Sequence, residues 1–409
     1  MNEPLATKNH YFNIAVIVAA LGYFVDIYDL LMFSIIRVES LKDLGLSAEG
    51  IKNEGLFIIN VQMLGLLAGG ILWGVLADKK GRLSVLFASI ILYSLGNIAN
   101  GFVTNTDQYA LVRFISGIGL AGELGAGITL VSELLPKDKR GVGTSLVAGI
   151  GLSGAVVAFI IKENFHWRTC YFIGGGLGFL LLFLRIKVAE SGMFESAKKA
   201  NIQKGNFWMF FNNKKRFKKY LLAILIGIPT WFVIGILISF SKEFAEKMNV
   251  IGVVDPGKSV MFAYVGLSLG DIMSGLVSQW LRSRKKALYI FYGITIIAMI
   301  WFFNLHGASA TEVYWACALL GFGIGFWAIF VTVAAEQFGT NLRATSATTV
   351  PNMVRGSLNL ITILFTALQA SQGYIGSAII TAIVCMLIAI VAAAASDETF
   401  GKDLNYMEA

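Results

Sequence analysis

Apolar residues run along this chain in blocks of about 20–25 positions, each closed by a short polar or basic stretch. Blocks of that length match a helix crossing a bilayer, because 1.5 Å per residue carries the chain over a hydrocarbon core of about 30 Å. They fall at 11–36, 54–77, 83–103, 108–135, 141–162, 166–186, 218–241, 258–281, 287–305, 312–335, 345–370 and 374–395. The pattern predicts an all-α membrane protein with twelve transmembrane helices.

An even number of crossings puts both termini on one side. Placing them in the cytoplasm sends most lysines and arginines to inside loops, the bias expected of membrane proteins. The longest connection, 187–217, follows the sixth block and is basic; it predicts a linker lying near anionic headgroups. The expected organisation is a first bundle over 1–186, a cytoplasmic linker over 187–217, and a second bundle with a short cytoplasmic tail over 218–409. The halves echo each other. Glu133 and Arg140 follow the fourth block with the spacing that Glu336 and Arg343 show after the tenth, and Gly74–Asp78 is echoed by Gly275–Gln279. Two pseudo-symmetric six-helix bundles with a site at their interface, near the midplane, are expected.

Composition agrees. Of 409 residues 56% are hydrophobic and 14% charged, and mean hydropathy is +0.71. The net charge of +8 resides in short loops, where membrane orientation explains it, so no nucleic-acid partner is expected. Cys170, Cys317 and Cys385 lie in or beside apolar blocks without disulfide or metal spacing. Met1–Asn9 is polar and lacks a cleavable signal pattern, so the first helix is expected to stay. His10, His166 and His306 fall in tails or loops. Neither enzyme chemistry nor a metal or cofactor is expected; no G-x-x-x-x-G-K-[ST] loop points to ATP.

Candidate chemistry lies in ionisable residues inside apolar blocks, where each is costly and usually serves ion or substrate work. Asp26 and Asp29 stand three apart in the first block, hence on one helical face. Asp29 and Arg113 lie at similar depth from the same surface, so they are expected to pair, with protonation of Asp26 or Asp29 releasing Arg113. Glu123, deeper in the fourth block, is a second proton-coupling candidate. Asp271 and Arg355 both fall mid-block and are expected either to neutralise each other or to leave Arg355 for an anion, with Asn352 and Asn359 beside it. Tyr23, Tyr28, Trp231, Tyr264 and Trp327 are candidate pocket walls.

At the end of the second block stands Gly74-Val75-Leu76-Ala77-Asp78-Lys79-Lys80-Gly81-Arg82. Gly74 permits close helix approach, Gly81 a tight turn, and Asp78 with Arg82 a charge latch. This nine-residue run resembles the signature loop of the major facilitator superfamily. Arg113 followed by Gly117, Gly119 and Gly122 resembles its second motif; the G-x-G-x-x-G within it sits inside a membrane block, where glycines serve packing. Ser132–Gly141 and Glu190-Ser191 resemble the sugar-porter and metabolite–proton symporter branch, though Gly192 stands where a proline is common. Gly149–Gly154 lacks the proline of exporter motifs, and Gln279 replaces the second-half counterpart of Asp78. The resemblance implies that the first and fourth helices line one cavity, and that Glu133, Arg140, Glu336 and Arg343 belong to a structural latch. It also implies alternating access in a bacterial inner membrane by a monomer. The expected function is proton-coupled symport of a small organic anion, with sugar or polyol symport and proton-driven efflux as alternatives; buried acids also suit sodium.

Overall fold

In the computed structural model, residues 14–123, 125, 127, 147–184, 207–402 and 407 are described. Glu133, Arg140 and most of the linker lie outside them, as do the side chains of Asp78 and Arg82. The chain is all-α. The first half carries α1 (Ile14–Asp43), α2 (Ala48–Lys80), α3 (Arg82–Asn100), α4 (Thr106–Leu120), α5 (Gly154–Asn164) and α6 (Trp167–Leu184). The second carries α7 (Lys214–Phe232), which passes into a π-helical turn at Val233–Ile238, then α8 (Ser241–Lys247), α9 (Pro256–Trp280) and α10 (Arg284–Phe303). It closes with α11 (Ala310–Gly323), α12 (Trp327–Glu336), α13 (Arg343–Gly356) and α14 (Leu358–Ala395).

Among the described residues nine helical stretches are long and apolar enough to cross a membrane. One of these, Thr345–Ala395, turns back at Gly373 (φ 68°) and so crosses twice. The shorter Ser84–Asn100 and α4 supply the remaining passages. The chain is therefore a multi-pass membrane protein with two six-helix bundles.

Within the first bundle α2 packs on α4, α3 on α4 and α6, and α1 on α5 and α6; within the second, α9 packs on α11, α7 on α14, and α10 on α11. The bundles meet along α2 against α13 and α5 against α9. Apolar side chains such as Phe57, Leu95, Leu180, Leu276, Ile297 and Leu360 point outward, as a lipid solvent requires.

The chain departs from uniform helices in three places. The first helix runs to Asp43, two turns past the expected end. The tenth crossing breaks at residues 324–326, between α11 and α12. The seventh contains Pro229, which cannot donate to the helix ladder, and the π turn follows four residues later. The end of the bundle that carries Lys79–Arg82 is named the motif face.

Candidate functional site

Where the bundles meet, Tyr23, Ile27 and Leu30 of α1, Thr230 and Trp231 of α7, Tyr264 and Leu267 of α9, Trp327 of α12 and Arg355 of α13 surround a small cavity with about 260 Å³ of empty space. Its walls leave little free room, so the site is nearly closed in this structure. Both helix breaks adjoin it. Thr230 and Trp231 sit between Pro229 and the π turn, and Trp327 opens α12 just after its break. Backbone irregularity at this depth is tolerated where it lines a cavity.

Arg355 is the cation of this cavity. Its guanidinium carbon lies 6.0 Å from the ring centre of Trp231 and 5.8 Å from that of Trp327. Its Nη1 donates to Asn352 Oδ1 at 3.0 Å. Its Nε is buried without a hydrogen-bond partner among the described residues, and so are the indole nitrogen of Trp231 and Oγ1 of Thr230. Unmet polar groups this deep cost about 1–3 kcal/mol each until something pairs with them. All three residues line the same cavity.

Several expected roles change. Asp271 does not pair with Arg355; its Oδ1 accepts from the backbone N–H of Ala328 at 3.0 Å. The break before α12 leaves helix-start N–H groups without internal partners, and a buried carboxylate from α9 caps them. Asn352 does not line the cavity. Its amide donates to Ala121 O at 2.9 Å and Thr348 O at 2.8 Å, so it ties α13 to the end of α4 while holding Arg355. Asn359 also faces away, donating to Gly356 O at 3.1 Å and to Asn60 O at 3.4 Å on the seam with α2. Tyr28 turns into the first bundle, donating to Cys170 O at 2.8 Å.

Asp29 and Arg113 come together in the first bundle. Arg113 Nη1 donates to Asp29 Oδ1 at 2.7 Å, Nη2 to the backbone O of Asp29 at 2.9 Å, and Nε to Gln62 Oε1 at 3.3 Å. Both side chains are fully buried. The ring centre of Tyr171 lies 5.7 Å from the guanidinium, and its hydroxyl shares a 2.8 Å hydrogen bond with that of Tyr109. Asp29 Oδ2 makes no hydrogen bond among the described residues. Asp26, one helix turn earlier on α1, is fully buried as well. Three residues of helix rotate by about 300°, so the two side chains leave α1 about 60° apart. Glu123 is buried just past the end of α4, ten positions beyond Arg113 and outside that pair.

Both ends of the seam are tied. On the face opposite the motif, Arg37 of α1 meets Glu243 of α8 at 2.7 Å, and Lys162 of α5 meets Asp255 at 2.9 Å and Glu39 at 3.2 Å. The Arg37–Glu243 and Lys162–Asp255 bridges join the two bundles; neither is legible in the sequence, where their cations count only toward orientation. The one signal they leave there is a cation at the inner edge of an apolar block, on the face that holds few cations. On the motif face Gly74 lies against Thr345 and Thr349, where an added Cβ would come within 3.1–3.3 Å, and Thr345 Oγ1 donates to Gly74 O at 3.2 Å. Gly81 takes φ 101° in the turn between α2 and α3. Glu336 is held by Arg284 at 3.1 Å, with Thr399 donating to it at 2.8 Å; Arg343 is buried nearby in sequence at the start of α13. Arg284 and Gln62 are further partners that sequence alone does not mark.

Comparison with known proteins agrees with this architecture. A niacin transporter of Acinetobacter baylyi is 27% identical, covering 99% of this chain and 97% of the relative. A sialic acid transporter of Escherichia coli is 28% identical over 65% of each chain. The solved structure of a proton:xylose symporter bound to 6-bromo-6-deoxy-D-glucose superposes with a TM-score of 0.75 at 16% identity, covering 96% of this chain and 97% of that one. The family model of the Major Facilitator Superfamily matches residues 19–361. With that match across most of its length, on two six-helix bundles that enclose a central cavity, the chain belongs to the major facilitator superfamily of transporters.

Proposed function

We propose that this transporter brings a small planar aromatic carboxylate, of the kind niacin represents, into a bacterial cell together with a proton. Arg355 carries the reading: a guanidinium between two indoles, with Nε unmet in a near-closed cavity. A carboxylate accepts two parallel N–H bonds from such a fork, and the indoles stack on a flat ring. The unmet Trp231 N–H suits an acceptor atom elsewhere on the ring. The relative named as a niacin transporter supports the same class. A sugar offers hydroxyls around its whole rim, which these mostly aromatic and aliphatic walls match less well.

Asp29 supplies the coupling. When ionised it holds Arg113; when protonated it loses the charge that the guanidinium opposes, and the pair loosens. Bound solute and proton together bias the exchange between the two open states. Asp26, buried one turn earlier on α1, is the second candidate carrier. The motif face and both termini lie in the cytoplasm of a bacterial plasma membrane, the division at 187–217 separates the two moving bundles, and the unit is a monomer.

Nicotinate uptake into proteoliposomes under an inward proton gradient tests this. We expect gradient-dependent uptake with the wild-type protein, and a KM raised by about 10–100-fold in Arg355→Gln, the loss of a charge-assisted bond. Uptake indifferent to the gradient and to Asp29→Asn would remove proton coupling; unchanged KM in Arg355→Gln would remove the carboxylate assignment.

A further inference from the structure

A second cavity lies on the face opposite the motif, with about 340 Å³ of empty space. Phe240, Phe365 and Tyr374 form its buried floor, and Lys52, Asn53 and Gln369 stand on its rim. Lys52 and Asn53 come from the first bundle; the floor and Gln369 come from the second. Lys52 Nζ lies 4.8 Å above the ring of Tyr374. No carboxylate among the described residues lies within 4.0 Å of it, whereas Arg37, Lys162 and Lys242 on the same face each have one. Phe240 also carries the Arg37 guanidinium 4.4 Å from its ring centre, and the partner of Arg37 is Glu243. The niche is thus one aromatic ring away from the bridge that ties the bundles on this face.

We propose that this niche is a second anion site, taking an anionic head on a flat or apolar body. Lys52 meets the charge, the Asn53 and Gln369 amides meet its remaining oxygens, and Phe240, Phe365 and Tyr374 receive the body. An occupant touches both bundles and holds this face closed. The anionic character rests on Lys52 alone. The match to the transported solute rests on the reading of Arg355. A dissolved aromatic carboxylate and the headgroup of an anionic lipid share this chemistry.

Titration calorimetry with benzoate on the full chain in phosphatidylcholine nanodiscs tests the site. We expect two phases: a tighter one removed by Arg355→Gln, and a weaker one that survives it. Lys52→Gln, and Thr366→Phe, which fills the niche from its exposed edge, should each weaken the second phase at least about tenfold. A single phase in wild-type protein, or a second phase indifferent to both niche variants, overturns the proposal. If Arg355→Gln does not fold, the two niche variants in the wild-type background still separate these outcomes. If Arg355→Gln folds and spares the tighter phase, the substrate reading fails while the niche stands on Lys52. Phosphatidylglycerol in the nanodisc separates the sources: loss of the weaker phase assigns the niche to the headgroup, and its persistence assigns it to the dissolved carboxylate.

Discussion

Arg113 grips Asp29 twice, through the carboxylate at 2.7 Å and through the backbone carbonyl of the same residue at 2.9 Å. The second bond is independent of protonation. Neutralising Asp29 therefore loosens the side-chain contact without freeing Arg113 from α1. Asp29→Asn should abolish proton-driven accumulation while solute exchange across the proteoliposome membrane persists. Asp29→Ala leaves a buried cation without its counter-charge and should destabilise by about 3–5 kcal/mol, read as a lower melting temperature in detergent. Exchange lost in parallel with accumulation would argue that the pair is structural alone.

Asp271 bears on the cavity through the start of α12. By capping the N–H of Ala328 it fixes the start of α12, and the first residue of α12 stacks beside Arg355. Asp271→Ala should cost about 0.5–2 kcal/mol of capping and raise KM severalfold. Asp271→Asn keeps an acceptor and should restore most of the affinity. Tryptophan emission, compared with and without Trp327→Phe, reports whether the indole has moved.

The Arg37–Glu243 bridge joins the two bundles on the face opposite the motif, and beside it Ser239 Oγ donates to Ser34 Oγ at 3.4 Å. Glu243→Gln should favour opening of that face by about 1–3 kcal/mol, the worth of a hydrogen bond to a charged group. A cysteine placed at Ser34, buried in this structure, should then react with an impermeant maleimide at least about tenfold faster. An unchanged rate would show that the bridge does not gate this face.

Glu398 clasps the chain's last described segment to the start of α10. Burial pushes its carboxyl upward, but hydrogen bonds from the Ser283 hydroxyl and from the N–H groups of Phe400, Arg284 and Lys285 outweigh this and hold it below the usual glutamate value. A folded-state value below the unfolded one means the clasp contributes fully above the ordinary glutamate pKa and fades as pH falls through the lowered value. Amide exchange at 396–402 should be slow at neutral pH and accelerate only in that acidic window. Glu398→Gln should show fast exchange at neutral pH already.

The length and spacing of apolar blocks determined the number of crossings and the two-bundle plan, because a bilayer allows a backbone little besides helices of one length. The cost of a buried charge made Asp26, Asp29, Arg113, Asp271 and Arg355 stand out in the sequence alone, and matched depth was enough to join Asp29 with Arg113. Partner choice elsewhere depended on rotation and on broken backbone, which a hydropathy pattern does not record. A break at 324–326 created unpaired N–H groups that drew Asp271 away from Arg355. Asn359 was turned to the seam by packing against α2, and Arg37 found Glu243 across more than two hundred residues. Periodicity along one chain defines which faces are apolar; only the docking of two bundles decides which polar groups meet.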